Sequence, residues 1–264
     1  MNWTSIVLAA ISGGLAGLIA MLVAGSPKER GGAYAGVFVV AFLVLNFISR
    51  QYILPRIEAN SAESQLLEIP AFVAIKKYDS KTFYSLLGEL KQGLKDGKSE
   101  IELIAIIRGQ MTAIVASRLP TASDEAVVAY IKVMITELHE LNQAGGDLCY
   151  RYLFPTAATP FDPRQNLSKE TQQADLAALA DVIRTSATDP QPKPPEDLVA
   201  PKLQPIVAEL NGQYGSDLQM LQNPAAPGVD KTKICAISTS LYEKILRLPA
   251  SDSGKVLRYM MSKT

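Results

Sequence analysis

Apolar positions along the chain follow two different patterns. Ile6 to Ala24 is a run of 19 apolar or small residues interrupted in polarity only by Ser12, and Gly31 to Ser49 is a second, mainly apolar run of the same length. At a helical rise of about 1.5 Å per residue, each run spans roughly 28 Å, close to the hydrocarbon thickness of a bilayer. Between them Gly25, Ser26, Pro27, Lys28, Glu29 and Arg30 supply a polar turn rich in helix breakers. The pattern predicts a transmembrane helical hairpin over residues 1–50, because lipid offers no hydrogen-bond partner to open backbone. A cleaved signal peptide is the rival expectation. It fits less well, since no charged side chain precedes the first run and the apolar stretch is too long. Gly13 with Gly17, and Gly32 with Gly36, form small-xxx-small pairs that let helices approach closely, either within the hairpin or between copies.

Beyond Arg50 the spacing becomes that of amphipathic helices. Ser80 is placed to cap a helix carrying Phe83, Leu86, Leu87, Leu90 and Leu94 and ending at Gly97. Ser99 and Glu102 form a capping box ahead of Ile101, Ile104, Ile107, Met111, Ile114 and Val115, with Pro120 as the stop. Ser123 opens a third helix with Val127, Ile131, Met134, Ile135 and Leu138 inward, terminated by Gly145 and Gly146. Ser168 opens a fourth with Leu176, Leu179, Val182 and Ile183. Further helices are expected at Leu203–Leu221, Lys231–Leu246 and Asp252–Met260. Leu148 to Phe154 suits either an isolated strand or a helical turn, and a lone strand has nothing to pair with. The expected fold is all-α: the two-helix hairpin, then a soluble multi-helix bundle over 51–264. Thr188 to Glu196 holds four prolines in nine residues. It is read as a stiff surface linker within that one helical domain, because the 65 or so residues after it make a marginal domain alone.

Composition narrows the function classes. Lys plus Arg and Asp plus Glu balance at 26 each, so net charge does not recruit nucleic acid. Two cysteines exclude a disulfide-dense scaffold and a four-cysteine zinc site. His139 is the single histidine, and residue 143 is Gln, so the His-Glu-x-x-His spacing of zinc proteases is missing. His139 is read as a solvated histidine near a helix end, where the dipole favours its charge. No Gly-x-Ser-x-Gly or Ser-x-x-Lys nucleophile motif occurs. Ser251 to Lys255 lacks the spacing of a phosphate loop and is read as a turn entering the last helix. No catalytic residue, metal site or cofactor is expected.

Cys149 and Cys235 lie on either side of the proline linker among apolar and aromatic neighbours, and a bridge between them is expected. Closing a loop of that length contributes about 4–5 kcal/mol in the chain-entropy view. The bridge also decides topology. Lys28 and Arg30 in the turn are balanced by Arg50 and Arg56 beyond the second run, so positive charge gives no orientation. A disulfide belongs in an oxidising compartment, which places the helical domain in the periplasm and the hairpin in a bacterial inner membrane.

Two local features invite binding. Arg151 between Tyr150 and Tyr152 has the makings of an anion clamp, against the plainer expectation of a packed corner. Acids dominate 121–150 (Asp124, Glu125, Glu137, Glu140 and Asp147 against Lys132), whereas bases dominate 231–264. The two stretches are expected to dock within the fold or to form solvated faces, with a basic tail facing anionic lipid or an acidic partner as the functional alternative. The favoured function is a membrane-anchored interaction, scaffold or assembly-accessory protein of the cell envelope. Its partners are the lipid bilayer and an envelope or membrane protein, a second copy of the chain included. The alternative is an envelope hydrolase or ligand-binding protein whose site carries no motif.

Overall fold

The computed structural model describes residues 62–145, 147–154, 165–224 and 226–262. The expected hairpin, with Gly13, Gly17, Gly32 and Gly36, lies outside the described residues. Of the described residues, 66–93 and those from 97 onward form one compact unit. Among the described residues the structure is helical and contains no strand. No helix among them is long and apolar enough to cross a membrane.

Helix α1, Pro70–Tyr78, carries Pro at its first turn, where a missing N–H costs nothing, and buries Ala71, Phe72, Ala74 and Ile75. The sequence pattern did not reveal it, because nine residues hold too few turns to establish a period. Helix α2, Ser80–Lys95, buries Phe83, Leu86, Leu87 and Leu90. Its start is braced by Asp79 rather than by Ser80: the Asp79 carboxylate accepts the Thr82 N–H at 3.2 Å and the Arg118 guanidinium at 2.7 Å. Helix α3, Glu100–Arg118, begins on the expected capping box, with Ser99 Oγ accepting the Glu102 N–H and Glu102 accepting the Ser99 N–H. Pro120 ends it in the 3-10 turn Leu119–Thr121.

Helix α4, Asp124–Ala144, is the axis of the bundle. Ser123 caps its start by accepting the Ala126 N–H, and Gly145 at φ 86° closes its end. Around it pack α5 (Leu148–Leu153), α6 (Lys169–Thr188), α8 (Lys231–Leu246) and α9 (Ala250–Met261). Helix α1 lies against α6, and α7 (Glu196–Tyr214) lies against α8 and α9. Leu119, Val127, Ile131, Val182, Val199, Ile206, Ile245, Val256 and Leu257 make the main core. Burial of such side chains at about 25 cal/mol per Å² is the dominant favourable term.

Three elements differ in detail from the sequence pattern. Leu148–Leu153 is a short helix, so the choice between strand and helical turn goes to the helix. Helix α7 starts at Glu196, ahead of the expected Leu203, and runs through Pro201 and Pro205. Interior prolines each forfeit a backbone bond, but burial of Val199, Ile206 and Leu210 and acids in the first turn favour the helix. Gly215, at φ 54°, then breaks it, and a 3-10 segment continues to Gln222. Ser251 to Lys255 lies inside α9 instead of forming a turn before it. Gly254 is required there by close approach, since a Cβ built on it would strike Asp124 Cβ and sit 2.6 Å from Asp124 Cα.

Residues 189–195, the proline-rich connection, lie along the bundle. The Gln191 N–H donates to the Thr121 carbonyl at 2.8 Å, and Arg258 Nη1 donates to the Pro192 carbonyl at 2.8 Å. Helices from both sides of this strap pack on α4.

Candidate functional site

Helix α5 has only six residues, and 3.6 residues per turn send its side chains in opposite directions. Cys149 turns toward Leu138, Leu141 and Leu167 and is bridged to Cys235 of α8, with 6.0 Å between the Cα atoms. Beside the bridge, Tyr150 Oη donates to the Pro224 carbonyl at 3.0 Å, and Lys231 Nζ lies 2.8 Å from Asp147 and 5.2 Å from the Tyr150 ring centroid. Arg151 reaches back toward Asp147 at 4.0 Å. Tyr152 points the other way. Its hydroxyl donates to Glu137 Oε2 at 2.5 Å. Tyr150, Arg151 and Tyr152 therefore do not converge into a clamp: the first two belong to a corner tied to α8, and the third belongs to a cavity.

That cavity, of about 400 Å³, lies between α3, α4, α5, α6, α8 and α9. Its walls are apolar, Met111, Ile131, Met134 and Leu179 among them, and its polar groups are Glu137, Asp175, Tyr130, Tyr152 and Tyr242. Tyr130, Met134 and Glu137 enter from α4 at i, i+4 and i+7, one helix face. Asp175 enters from α6 and Tyr242 from α8. No lysine, arginine or histidine among the described residues lines it.

The two acids differ in burial, Glu137 being enclosed and Asp175 partly exposed. Glu137 is 2% exposed. Burial pushes the Asp175 carboxyl up to about 6. The phenol of Tyr152 is raised well above its usual range by burial and then by the Glu137 charge. Burial, followed by the Asp175 and Glu137 charges, raises Tyr130, and burial raises Tyr242. The tyrosines therefore remain neutral hydroxyls that donate or accept. Tyr152 spends its donor on Glu137. Among the described residues no hydrogen bond reaches the side-chain oxygens of Asp175, Tyr130 or Tyr242; all three side chains are partly exposed, so these oxygens are not sealed orphans. A carboxyl that titrates near neutrality can exchange a proton, and as carboxylate it accepts hydrogen bonds from a donor brought into the cavity.

The other sequence candidates are structural or surface groups. His139 is half exposed and its Nε2 lies 2.9 Å from Glu243 Oε1 on α8. The acidic and basic stretches dock only in part. Asp124 pairs with Arg258, Asp147 with Lys231 and Glu243 with His139, whereas Lys233 and Lys244 pair with Asp217 and Glu209. No cluster of three or more metal-ligating side chains occurs among the described residues.

Glu137, Asp175, Tyr130 and Tyr242 were not singled out by sequence. A signal existed: Glu137 interrupts the apolar face of α4 seven residues after Tyr130, and Asp175 sits four residues before Leu179 on the inward face of α6. An acid on a buried helical stripe is the kind of exception that marks a site. No family model, curated protein or solved structure matches the chain.

Proposed function

We propose that this chain is a membrane-tethered protein of the cell envelope whose helical domain acts through binding, as a scaffold or assembly-accessory component. The observation that carries the reading is the Cys149–Cys235 bridge joining α5 to α8 across the proline strap. A bridge of that kind is at home in an oxidising compartment, and the two charge-free apolar runs before residue 50 supply the tether. The bilayer and an envelope protein, a second copy of this chain included, are the proposed partners. The test is cross-linking in intact cells followed by purification in mild detergent. A stoichiometric membrane partner, or a self-cross-link, supports the scaffold; purification as a partner-free monomer contradicts it.

A second reading, a ligand-binding protein, is favoured by the acid- and tyrosine-lined cavity. Its volume lies in the range of small-molecule sites, and its few polar groups stand in an apolar wall. A hydrolase would use the same Asp175, the group best placed to hold and release a proton.

A further inference from the structure

We infer that the cavity between α4, α6 and α8 is a binding site for a primary or secondary ammonium carried on a small apolar body, with Asp175 as its counter-ion. The inference rests on the ligand-binding reading and names the class of ligand.

Three observations converge. First, the cavity is large enough for a ligand of roughly drug-fragment size, and its walls are mostly apolar. Second, its ionisable groups are acids and phenols, and no cationic side chain among the described residues faces it. Asp175 comes from α6, Glu137 and Tyr130 from α4, Tyr152 from α5 and Tyr242 from α8. An anion entering here would meet the Glu137 and Asp175 carboxyls, and no lysine, arginine or histidine among the described residues lines the cavity to offset them. Third, the hydrogen-bonding capacity left open is on the acceptor side. Asp175 accepts from no described residue, whereas Glu137 already accepts from Tyr152. A neutral alcohol would satisfy one acceptor and leave the charge unpaired. An ammonium supplies donors and charge together, and such charge-assisted hydrogen bonds are stronger than neutral ones. Tyr130 and Tyr242 line the same cavity and add hydroxyl oxygens that can accept from the ammonium. Donors are needed at Asp175, so an N–H-bearing ammonium fits better than a quaternary one.

Water filling would satisfy Asp175 without a ligand, and the experiment separates the two. Full-length protein in detergent micelles is titrated by calorimetry at pH 8 with 2-phenylethylamine, its N,N,N-trimethyl analogue, 2-phenylethanol and phenylacetate. The amine is expected to bind at least tenfold more tightly than the alcohol or the quaternary analogue, and phenylacetate not at all. Asp175→Asn is expected to lower amine affinity at least tenfold while leaving the thermal midpoint unchanged or higher, so lost binding is not lost folding. Asp181→Asn, at an exposed carboxylate paired with Arg184, leaves affinity unchanged. Binding of the alcohol or phenylacetate as tightly as the amine overturns the cation and keeps a ligand-binding cavity. Binding of the amine that survives Asp175→Asn also overturns the assignment. No binding by any of the four probes overturns both the cation and the ligand-binding reading.

Discussion

Arg258 and Asp175 are both ionisable side chains drawn into one helical bundle, and their surroundings are opposite. Arg258 is 4% exposed, with its Nε 2.8 Å from Asp124 and its Nη1 donating to the Pro192 carbonyl. Each of those contacts ties a distant piece of chain: the start of α4, the proline strap and α9. Asp175 lies partly exposed in an apolar-walled cavity, accepts from no described residue, and has its carboxyl pushed up by burial. The difference teaches which buried charges are architecture. A charge with its partners in place holds helices together; a charge without them destabilises the fold unless something else enters to meet it. The short helix α5 draws the same line within six residues, with Cys149 on the tied side and Tyr152 on the cavity side.

Removing Arg258 should break the tied region most severely. Arg258→Ala leaves Asp124 partly buried without its cation and releases the Pro192 carbonyl, for an expected loss of about 3–5 kcal/mol. Urea unfolding followed by circular dichroism measures it, and a loss below 1 kcal/mol would show that the strap is held by other contacts.

The disulfide comes next. Cys149→Ala with Cys235→Ala should cost about 2–4 kcal/mol under oxidising conditions and nothing extra under reductant, relative to reduced wild type. Non-reducing peptide mapping of the wild type should recover the two cysteine peptides as one linked species. Two freely alkylated thiols would remove both the bridge and the case for an oxidising compartment.

Asp175 should respond in the opposite sense. Its folded-state carboxyl titrates near 6 and its unfolded one near the usual 3.8, so ionisation costs more in the folded chain. Its contribution to stability is greatest below pH about 4, declines as pH rises toward 6, and stays low above. Asp175→Asn should therefore raise stability at pH 8 by about 1–3 kcal/mol, and the wild-type-minus-variant difference should flatten below pH 4. Thermal melts across that range provide the check. Destabilisation by Asn at pH 8 would place Asp175 among the tied groups.

Much of this division is legible in sequence, and the missed part has a physical cause. Caps and periodicity located α3, α4, α6 and α8 closely, because Ser99, Ser123, Ser168 and Lys231 stand at or next to real helix starts. Pairing of Cys149 with Cys235 followed from count and setting. Helix α7 was placed late because interior prolines argue against a helix locally, and only tertiary burial outweighs them. The cavity escaped because its polar groups come from four helices, α4, α5, α6 and α8, and no spacing within one helix shows that they meet. Glu137 was read with the acidic stretch 121–150, whereas it is among the least exposed acids in the bundle. Tyr152 was singled out for its neighbours in sequence, yet its partner is fifteen residues upstream on another helix.

The central claim is that Asp175 is an unpartnered acid awaiting a cation. Carbon-13 NMR of the Asp175 side-chain carboxyl, assigned by its loss in Asp175→Asn, tests it directly. In the free protein the signal should titrate near pH 6. With saturating 2-phenylethylamine the midpoint should fall by at least one pH unit, because a bound ammonium stabilises the carboxylate. A free-protein midpoint near 4, or a midpoint near 6 that saturating amine does not move, would contradict the account.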